Sequence, residues 1–298
     1  MKKLTRYYIH VQYLLDKIRP YNLKYLIYHY SNIYKKRKKF YKPVNKNLLS
    51  IIIVTHNSGH CLNKALWLFE KNRIDKDIEI IIIDNNSKDK SYLKKYERKN
   101  NYKIVYNNEN LMFTRAVNQG MKIANGGYVL LLNPDVSWDK NLKDKPVTDM
   151  INVLDEDKKN GIVGLLQKYP DSNKISFYEG HFFNVITKKL IAPKNVFIKW
   201  RAYISTMDFL NKGKEVVGKH KKTKKTLWVM GSVFLIKRDL INRIGFLPYN
   251  RTCTHVLSDI IYCQIAIKNG WYVLTVGDSY AYHDFGKSCE ESKIGKNE

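Results

Sequence analysis

At 298 residues with 44% apolar side chains, the chain is long enough for one large α/β domain or two small ones, and too apolar to be disordered throughout. Lys and Arg number 53 against 27 Asp and Glu, and the resulting +26 draws nucleic acid, anionic headgroups or phosphorylated ligands without choosing among them. Cys61, Cys253, Cys263 and Cys289 lack the paired spacing of a zinc site or disulfide framework and read as free thiols in a reducing cytosol.

Apolar residues recur at helical spacing at Tyr8, Val11, Leu15 and Ile18, and again at Leu23, Leu26, Ile27, Tyr30 and Ile33, so two amphipathic helices are expected on either side of Pro20. The N-terminus carries no apolar stretch or small-residue cleavage site, and no secretory signal is expected. Lys35–Lys39 is a wholly basic run leading to Pro43, a linker into the main body. This arm reads either as a peripheral contact with anionic membrane or as a helical extension packed on the body.

The run Leu49–Val54 is β-branched, too short for a helix and bounded by polar residues, hence a strand buried on both faces. A helix over roughly 61–72, a second buried strand over Ile78–Ile83, a polar helix, a third strand over Lys103–Tyr106, a helix over about 114–124 and a fourth strand over Tyr128–Leu132 follow. Neither this fourth run nor Leu48–Thr55 approaches the roughly 20 apolar residues that a membrane-spanning helix needs. Alternating strands and helices predict a doubly wound α/β sheet, whose ligands lie beyond the carboxyl ends of the strands.

Those ends are polar: Thr55-His56-Asn57-Ser58, Asp84-Asn85-Asn86-Ser87 and Asn133-Pro134-Asp135. No glycine-rich dinucleotide fingerprint follows the first strand and no phosphate loop occurs, which disfavours a nicotinamide dehydrogenase or an ATPase. The second half is less regular. Gly161–Gly164 begins a strand, Lys194–Lys225 is basic and aromatic, and Trp228–Ile236 reads as a strand interrupted at Gly231-Ser232. Val256–Lys268 reads as a helix ended by Asn269-Gly270, and Trp271–Val276 as a last strand ahead of Tyr282-His283-Asp284.

A single carboxylate after a strand, Asp135, suits Mg2+ or Mn2+ held on a diphosphate, since these ions take few protein oxygens and several from phosphate. Asn-Pro-Asp is equally a plain turn.

Taken together, Ile51–Ser58, Ile80–Ser87 with Asp89, Asn110–Gly120 and Gly127–Val136 resemble the successive motifs of family 2 glycosyltransferases with the GT-A fold. Leu132-Asn133-Pro134-Asp135-Val136 is similar to the metal motif of the rhamnosyltransferase-like branch. The likeness resumes at Gly161–Gly164, Val229–Ile236, Ile244–Phe246 and Asp259–Trp271. It implies a Rossmann-like nucleotide-binding half and an acceptor half around one mixed sheet over residues 48–288, preceded by a helical extension and linker over 1–47 and followed by a tail over 289–298.

The resemblance also implies inverting transfer of a single sugar from a nucleoside-diphosphate donor to a glycan or lipid-linked glycan acceptor, with rhamnose one candidate. Asp135 would hold a Mg2+ or Mn2+ ion, and His283 would be its second ligand or a diphosphate contact; a buried structural histidine is the other reading. Asp259 falls on the family's general base, although the usual Glu-Asp pair is Ser258-Asp259 here, and Asp259 is also what an ordinary helix cap looks like. Thr55 and Asn57 are implied on the diphosphate and ribose side, and Asp84 with Asn85 on the base and ribose; Asn133 completes the donor set. Asp84 is otherwise a strand-end turn residue. Met112 stands where the family usually has glycine, and Asn118 and Gly120 read equally as helix packing and a turn. No transmembrane helix follows Asp259, which points away from processive synthesis and toward a cytoplasmic enzyme at the inner membrane face. The rival readings are a nucleic-acid-binding protein, on the charge and the 194–225 stretch, and a catalytically inactive transferase-like subunit, on Ser258 and Asn133.

Overall fold

The computed structural model describes residues 39–70, 74, 76–138, 145–168, 170, 175–177, 223–226, 228–249 and 258–284. The two amphipathic helices and most of the basic stretch 194–225 lie outside the described residues. Ten strands form one sheet in the order β3-β2-β1-β4-β9-β6-β10-β5, with β7 beside β6 and β8 beside β10. They are β1 (Asn45–Thr55), β2 (Asp77–Asp84), β3 (Tyr102–Tyr106), β4 (Gly126–Leu132), β5 (Val136–Ser137), β6 (Asn160–Lys168), β7 (Ile175–Phe177), β8 (Lys224–Thr226), β9 (Val233–Lys237) and β10 (Tyr272–His283).

The first four strands are mutually parallel, with Thr55 opposite Asp84 and Asp84 opposite Tyr106, so their carboxyl ends lie level. The sheet then turns mixed, because β9 runs antiparallel to both β4 and β6 while β10 runs parallel to β6. This is the single mixed sheet that the family resemblance implies.

Helices α1 (Gly59–Glu70) and α4 (Pro146–Asp155) cover one face, and α3 (Met112–Ile123), α5 (Arg238–Ile244) and α6 (Ser258–Lys268) cover the other. Strand alternation divides the core accordingly. Ile51 and Ile53 of β1 point to the first layer and Ile52 to the second. The polar helix expected before β3 is only a 3-10 turn over Ser91–Leu93 running into the single-turn α2 (Lys94–Glu97).

Several further differences have local causes. The interrupted strand over Trp228–Ile236 is a strand only from Val233, because the Gly231 N–H is spent on Asp259 instead of a neighbouring strand. The last strand continues to His283, past a register shift between Thr275 and Tyr280, so His283 sits on the strand itself. Gly120 is packing: a Cβ there would lie 2.5 Å from a methyl of Ile52, and its absence lets α3 close onto β1. Asn118 is packing too, bracketing Leu247 through its N–H and carbonyl at 3.0 and 2.9 Å.

The C-terminal end of α3 is held by two cations. Buried Arg238 donates to the carbonyls of Met121, Ala124 and Gly126, and Lys42 Nζ donates to those of Lys122, Ile123 and Ala124. Cations there oppose the partial negative charge of the helix end. Phe40 adds a backbone bond to Asn242 and a ring contact with Phe246, so residues 40–42 lie latched to the body ahead of β1.

Candidate active site

The carboxyl ends of β1 and β2 form an interlocked polar rim. The Asn57 N–H donates to Ser87 Oγ at 2.8 Å, and Asn57 Oδ1 accepts from the Lys88 N–H at 2.7 Å. Asn57 and Asn86 adopt positive φ of 50° and 67°, which asparagine tolerates better than most side chains. Tyr92, which the sequence reading passed over, places its hydroxyl 3.2 Å from Thr55 Oγ1 and 3.0 Å from Ser87 Oγ. Burial raises its phenol above the usual range, against the pull of those two bonds, so it stays a neutral phenol.

Thr55 and Asp84 are buried at the base of this rim. Asp84 accepts long bonds from the Ser87 N–H, and Lys90 Nζ stands 3.9 Å away on the solvent side. The Asn85 side chain turns inward: its carbonyl accepts from Asn107 and the Leu111 N–H, and its amide donates to Asn110 at 2.7 Å. It therefore shapes the 107–111 loop. That loop ends at Met112, whose φ of 61° explains why glycine suits the position.

One strand further on, the Asn133-Pro134-Asp135 turn is fixed by the Asn133 N–H to the Ser232 carbonyl and the Val136 N–H to the Asn133 carbonyl. Asp135 Oδ1 meets His283 Nε2 at 3.3 Å, both side chains nearly buried. A cleft of ≈ 70 Å³ opens beside Asp135, its other wall formed by His60, Cys61 and Lys64 of α1. The pair is the part of the site able to hold a divalent ion. Two ligands bound at about 2.1 Å in neighbouring octahedral positions lie ~3.0 Å apart, close to the observed separation. Among the described residues no group of three or more His, Cys, Asp or Glu side chains gathers for a metal, so any such ion would need oxygens from a ligand.

On the α6 side, Asp259 Oδ2 accepts from the Gly231 N–H and Oδ1 from the Ile260 N–H, each at 2.8 Å. The residue is half-buried and keeps partial solvent contact. Burial raises its pKa above the ordinary aspartate value, partly opposed by these N–H donors. Gly231 permits the approach, since a Cβ there would lie 3.1 Å from Oδ2. Ser258, where a glutamate was expected, is buried and accepts from Thr114 at 3.0 Å, joining α6 to α3.

The turn at Gly231-Ser232 thus links both halves of the site, touching Asp259 through one residue and the Asp135 turn through the next. Gln167 of β6, also missed in the sequence, accepts from Ser232 Oγ and lies 2.9 Å from His283 Nδ1. Its partners are 65 and 116 residues away, so no local pattern could have flagged it. Among the described residues Cys61 and Cys263 are buried and form no disulfide. No helix among them is long and apolar enough to cross a membrane.

A mixed sheet with this rim is the architecture of GT-A glycosyltransferases. The fold matches a mannosyltransferase from Pyrobaculum calidifontis, in complex with GDP-Man and Mn2+, at TM-score 0.54 and 17% identity, over 89% of this chain and 65% of that one. TarS 1–349 from S. aureus matches at TM-score 0.54 and 16% identity, over 82% of this chain and 62% of that one. The sequence profile of glycosyl transferase family 2 matches residues 50–245, and the chain belongs to that family. A curated relative from Methanococcus voltae is 29% identical over 175 residues, covering 50% of this chain and 54% of the relative. It is a dolichyl N-acetyl-alpha-D-glucosaminyl phosphate 3-beta-D-2,3-diacetamido-2,3-dideoxy-beta-D-glucuronosyltransferase. The chain spans about half the length of that relative and less than two thirds of either solved chain. Family membership accounts for the polar strand ends, which the nucleic-acid-binding alternative left unexplained.

Proposed function

We propose that the chain is an inverting glycosyltransferase that moves a single sugar from a nucleoside-diphosphate donor to a glycan or lipid-linked glycan acceptor in polysaccharide or glycoconjugate synthesis. The observation that carries this reading is the paired arrangement around Gly231-Ser232, with a half-buried Asp259 on one side and the Asp135–His283 pair on the other.

In this reading Thr55, Asn57 and Asp84 line the donor's ribose and diphosphate, and Asn133 shapes the turn that presents Asp135. Asn85 acts on the donor through the 107–111 loop that it holds. Asp135 and His283 seat Mg2+ or Mn2+, which when bound supplies Lewis-acid stabilisation to the leaving diphosphate. The Mn2+ in the Pyrobaculum structure supports the choice of ion.

Asp259 is the general base. The acceptor oxygen attacks the anomeric carbon on the face opposite the diphosphate, the carbon–diphosphate bond breaks, and the hydroxyl proton passes to the Asp259 carboxylate. A carboxylate raised by burial is a stronger base than a solvated one, and the N–H groups of Gly231 and Ile260 hold its orientation. Asp259 carries the base role by itself in this reading, since Ser258, which accepts from Thr114, stands where the family has glutamate.

The Asn133-Pro134-Asp135-Val136 motif makes deoxythymidine-diphosphate rhamnose the first donor to try. The Methanococcus relative, named for a dolichyl phosphate-linked acceptor, supports a lipid-linked one here. A cytoplasmic place at the inner membrane face, with the basic arm on lipid, fits that acceptor. The test is thermal stabilisation and donor hydrolysis across a panel of nucleoside-diphosphate sugars with and without Mn2+. Metal-dependent stabilisation by one donor is expected, and indifference to every donor would overturn the reading.

A further inference from the structure

The register shift of β10 against β6, between Thr275 and Tyr280, exchanges the two faces of β10. Before it, Leu274 and Val276 pack in the first layer and Val273 in the second; after it, Ala281 lies in the first. Strand alternation then turns Ser279, Ala281 and His283 toward the face of α1 and α4, where Ser279 donates to Asp149 of α4. Tyr280 and Tyr282 turn to the opposite face, the one that α6 covers. Along β6 the same alternation, counted from Ile162 in the second layer, brings Leu166 and Lys168 to that face as well. Tyr280 pairs with Leu166 and Tyr282 with Lys168, so the three polar side chains are neighbours.

The two phenol rings meet edge to face with centroids 5.4 Å apart, and Lys168 Nζ stands 3.6 Å from the centroid of the Tyr280 ring. All three side chains are half-buried, whereas Ile162 and Val273, earlier on the same face, are buried aliphatics. Asp259 belongs to this face too. Helix α6 lies against β6 and β10. Val229 covers Gly164 of β6, where a Cβ would lie 2.5 Å from it, and two residues later the Gly231 N–H donates to Asp259. From Gly164 to Lys168 the strand advances ~13 Å. A carboxylate able to take a hydroxyl proton and an aromatic, cationic platform therefore follow one another along one face. His283, next to Tyr282, turns to Asp135 on the other.

A phenol ring offers its apolar face to the C–H groups of a pyranose, and an edge-to-face neighbour adds a second wall at an angle. An ammonium is a point charge without a fixed fork, which suits a phosphate or a carboxylate alike. A purely structural role would be met by the cation–π contact itself. The half-burial of all three side chains and their place beside the Asp259 turn favour a ligand. We propose that Tyr280, Tyr282 and Lys168 form the acceptor subsite, the rings holding a pyranose of the acceptor and the Lys168 ammonium an anionic group on it, phosphate or carboxylate. This rests on the transferase reading with Asp259 as base. It narrows the acceptor from glycans in general to those charged at or next to the sugar that is extended.

The test uses the full chain without donor, probed with glucose 1-phosphate, glucuronate, methyl glucoside and inorganic phosphate. In saturation-transfer NMR of wild type, irradiating aromatic protons should reach the C–H protons of a charged sugar, a readout that requires no variant to fold. Whichever of glucose 1-phosphate and glucuronate binds more tightly identifies the anion as phosphate or carboxylate. Lys168→Met should weaken that sugar about 10-fold, and Lys168→Arg should restore it. Tyr282→Leu should weaken it about 3- to 10-fold, while Tyr282→Phe, which keeps the ring, binds as wild type does. Circular dichroism melting monitors the fold of each variant. Methyl glucoside or inorganic phosphate binding as tightly as the charged sugars would overturn the proposal, as would a folded Lys168→Met of wild-type affinity. No transfer to any probe, in a wild type that a nucleoside-diphosphate sugar stabilises, would sink the subsite alone. Lys168-dependent sugar binding in a protein indifferent to every donor would sink the transferase reading and leave the sugar site standing.

Discussion

Replacing Gly231 by alanine tests whether the placement of Asp259, and not merely its presence, limits turnover. An added Cβ would lie 3.1 Å from Asp259 Oδ2 and 3.3 Å from its Cβ, both inside ordinary contact of 3.4 Å or more. The carboxyl must then move by a few tenths of an ångström. A 1 Å misplacement of a reacting group costs on the order of 10²-fold, so this shift, scaled on free energy, lowers kcat by roughly 3- to 10-fold. The donor rim at Thr55, Asn57 and Asp84 is untouched, and KM for the donor should stay unchanged. Gly231 is not among the residues of positive φ, so alanine brings no backbone strain. It even gains about 0.4–1 kcal/mol through the unfolded state, against about 1–3 kcal/mol for crowding. The assay is steady-state hydrolysis of the accepted donor, with melting temperature measured on the same protein. Wild-type kcat in a folded Gly231→Ala enzyme would refute the assignment of Asp259 as a positioned base.

Asp259→Asn should lower turnover by about 10²- to 10⁴-fold. Because burial raises the folded-state pKa of Asp259, its contribution to stability is fully present below the unfolded value of about 3.9 and is lost as pH rises through the folded value. Wild type should therefore gain melting temperature relative to Asp259→Asn as the pH is lowered through that window. Asn85→Asp sets a carboxylate oxygen against Asn110 Oδ1, where an amide now donates at 2.7 Å. A loss of about 1–3 kcal/mol in melting experiments and a raised donor KM are expected. Met112→Gly relieves a left-handed residue worth about 1–2 kcal/mol, less about 0.5–1 kcal/mol of glycine entropy. The variant should melt slightly higher, which thermal denaturation would check.

The half of the fold that carries the polar rim was legible because its strands are buried on both faces and so nearly pure in Ile, Leu and Val, as in Ile80–Ile83 and Val129–Leu132. The ends of those strands were legible for the same reason, since Thr55, Asp84 and Asp135 stand where the apolar runs stop. Other elements were harder to read. Helix α5 has only seven residues, too few to show a period, and β5 has two. The last strand escaped in part because its latter half, from Gly277 to His283, mixes polar and aromatic side chains. Helix α4 did carry a signal, with Pro146 at its start and Val147, Met150, Ile151 and Leu154 buried, and it was passed over. Within the site, residues at strand ends announced themselves, whereas Gln167, Tyr92 and Ser232 act through side-chain bonds to distant segments that no local spacing records.

The latch formed by Phe40 and Lys42 bears on where this protein can be cut. Helix α3 is a rod of 12 residues, about 18 Å long, with the 107–111 loop at one end and the Lys42 ammonium against the carbonyls at the other. A truncation that starts at the first residue of the sheet would discard that ammonium and the Phe40–Phe246 contact, leaving Arg238 alone to hold the rod's end. Shortened forms intended for crystallisation or donor screening should begin ahead of Phe40, so that the anchor of the helix remains in the protein being measured.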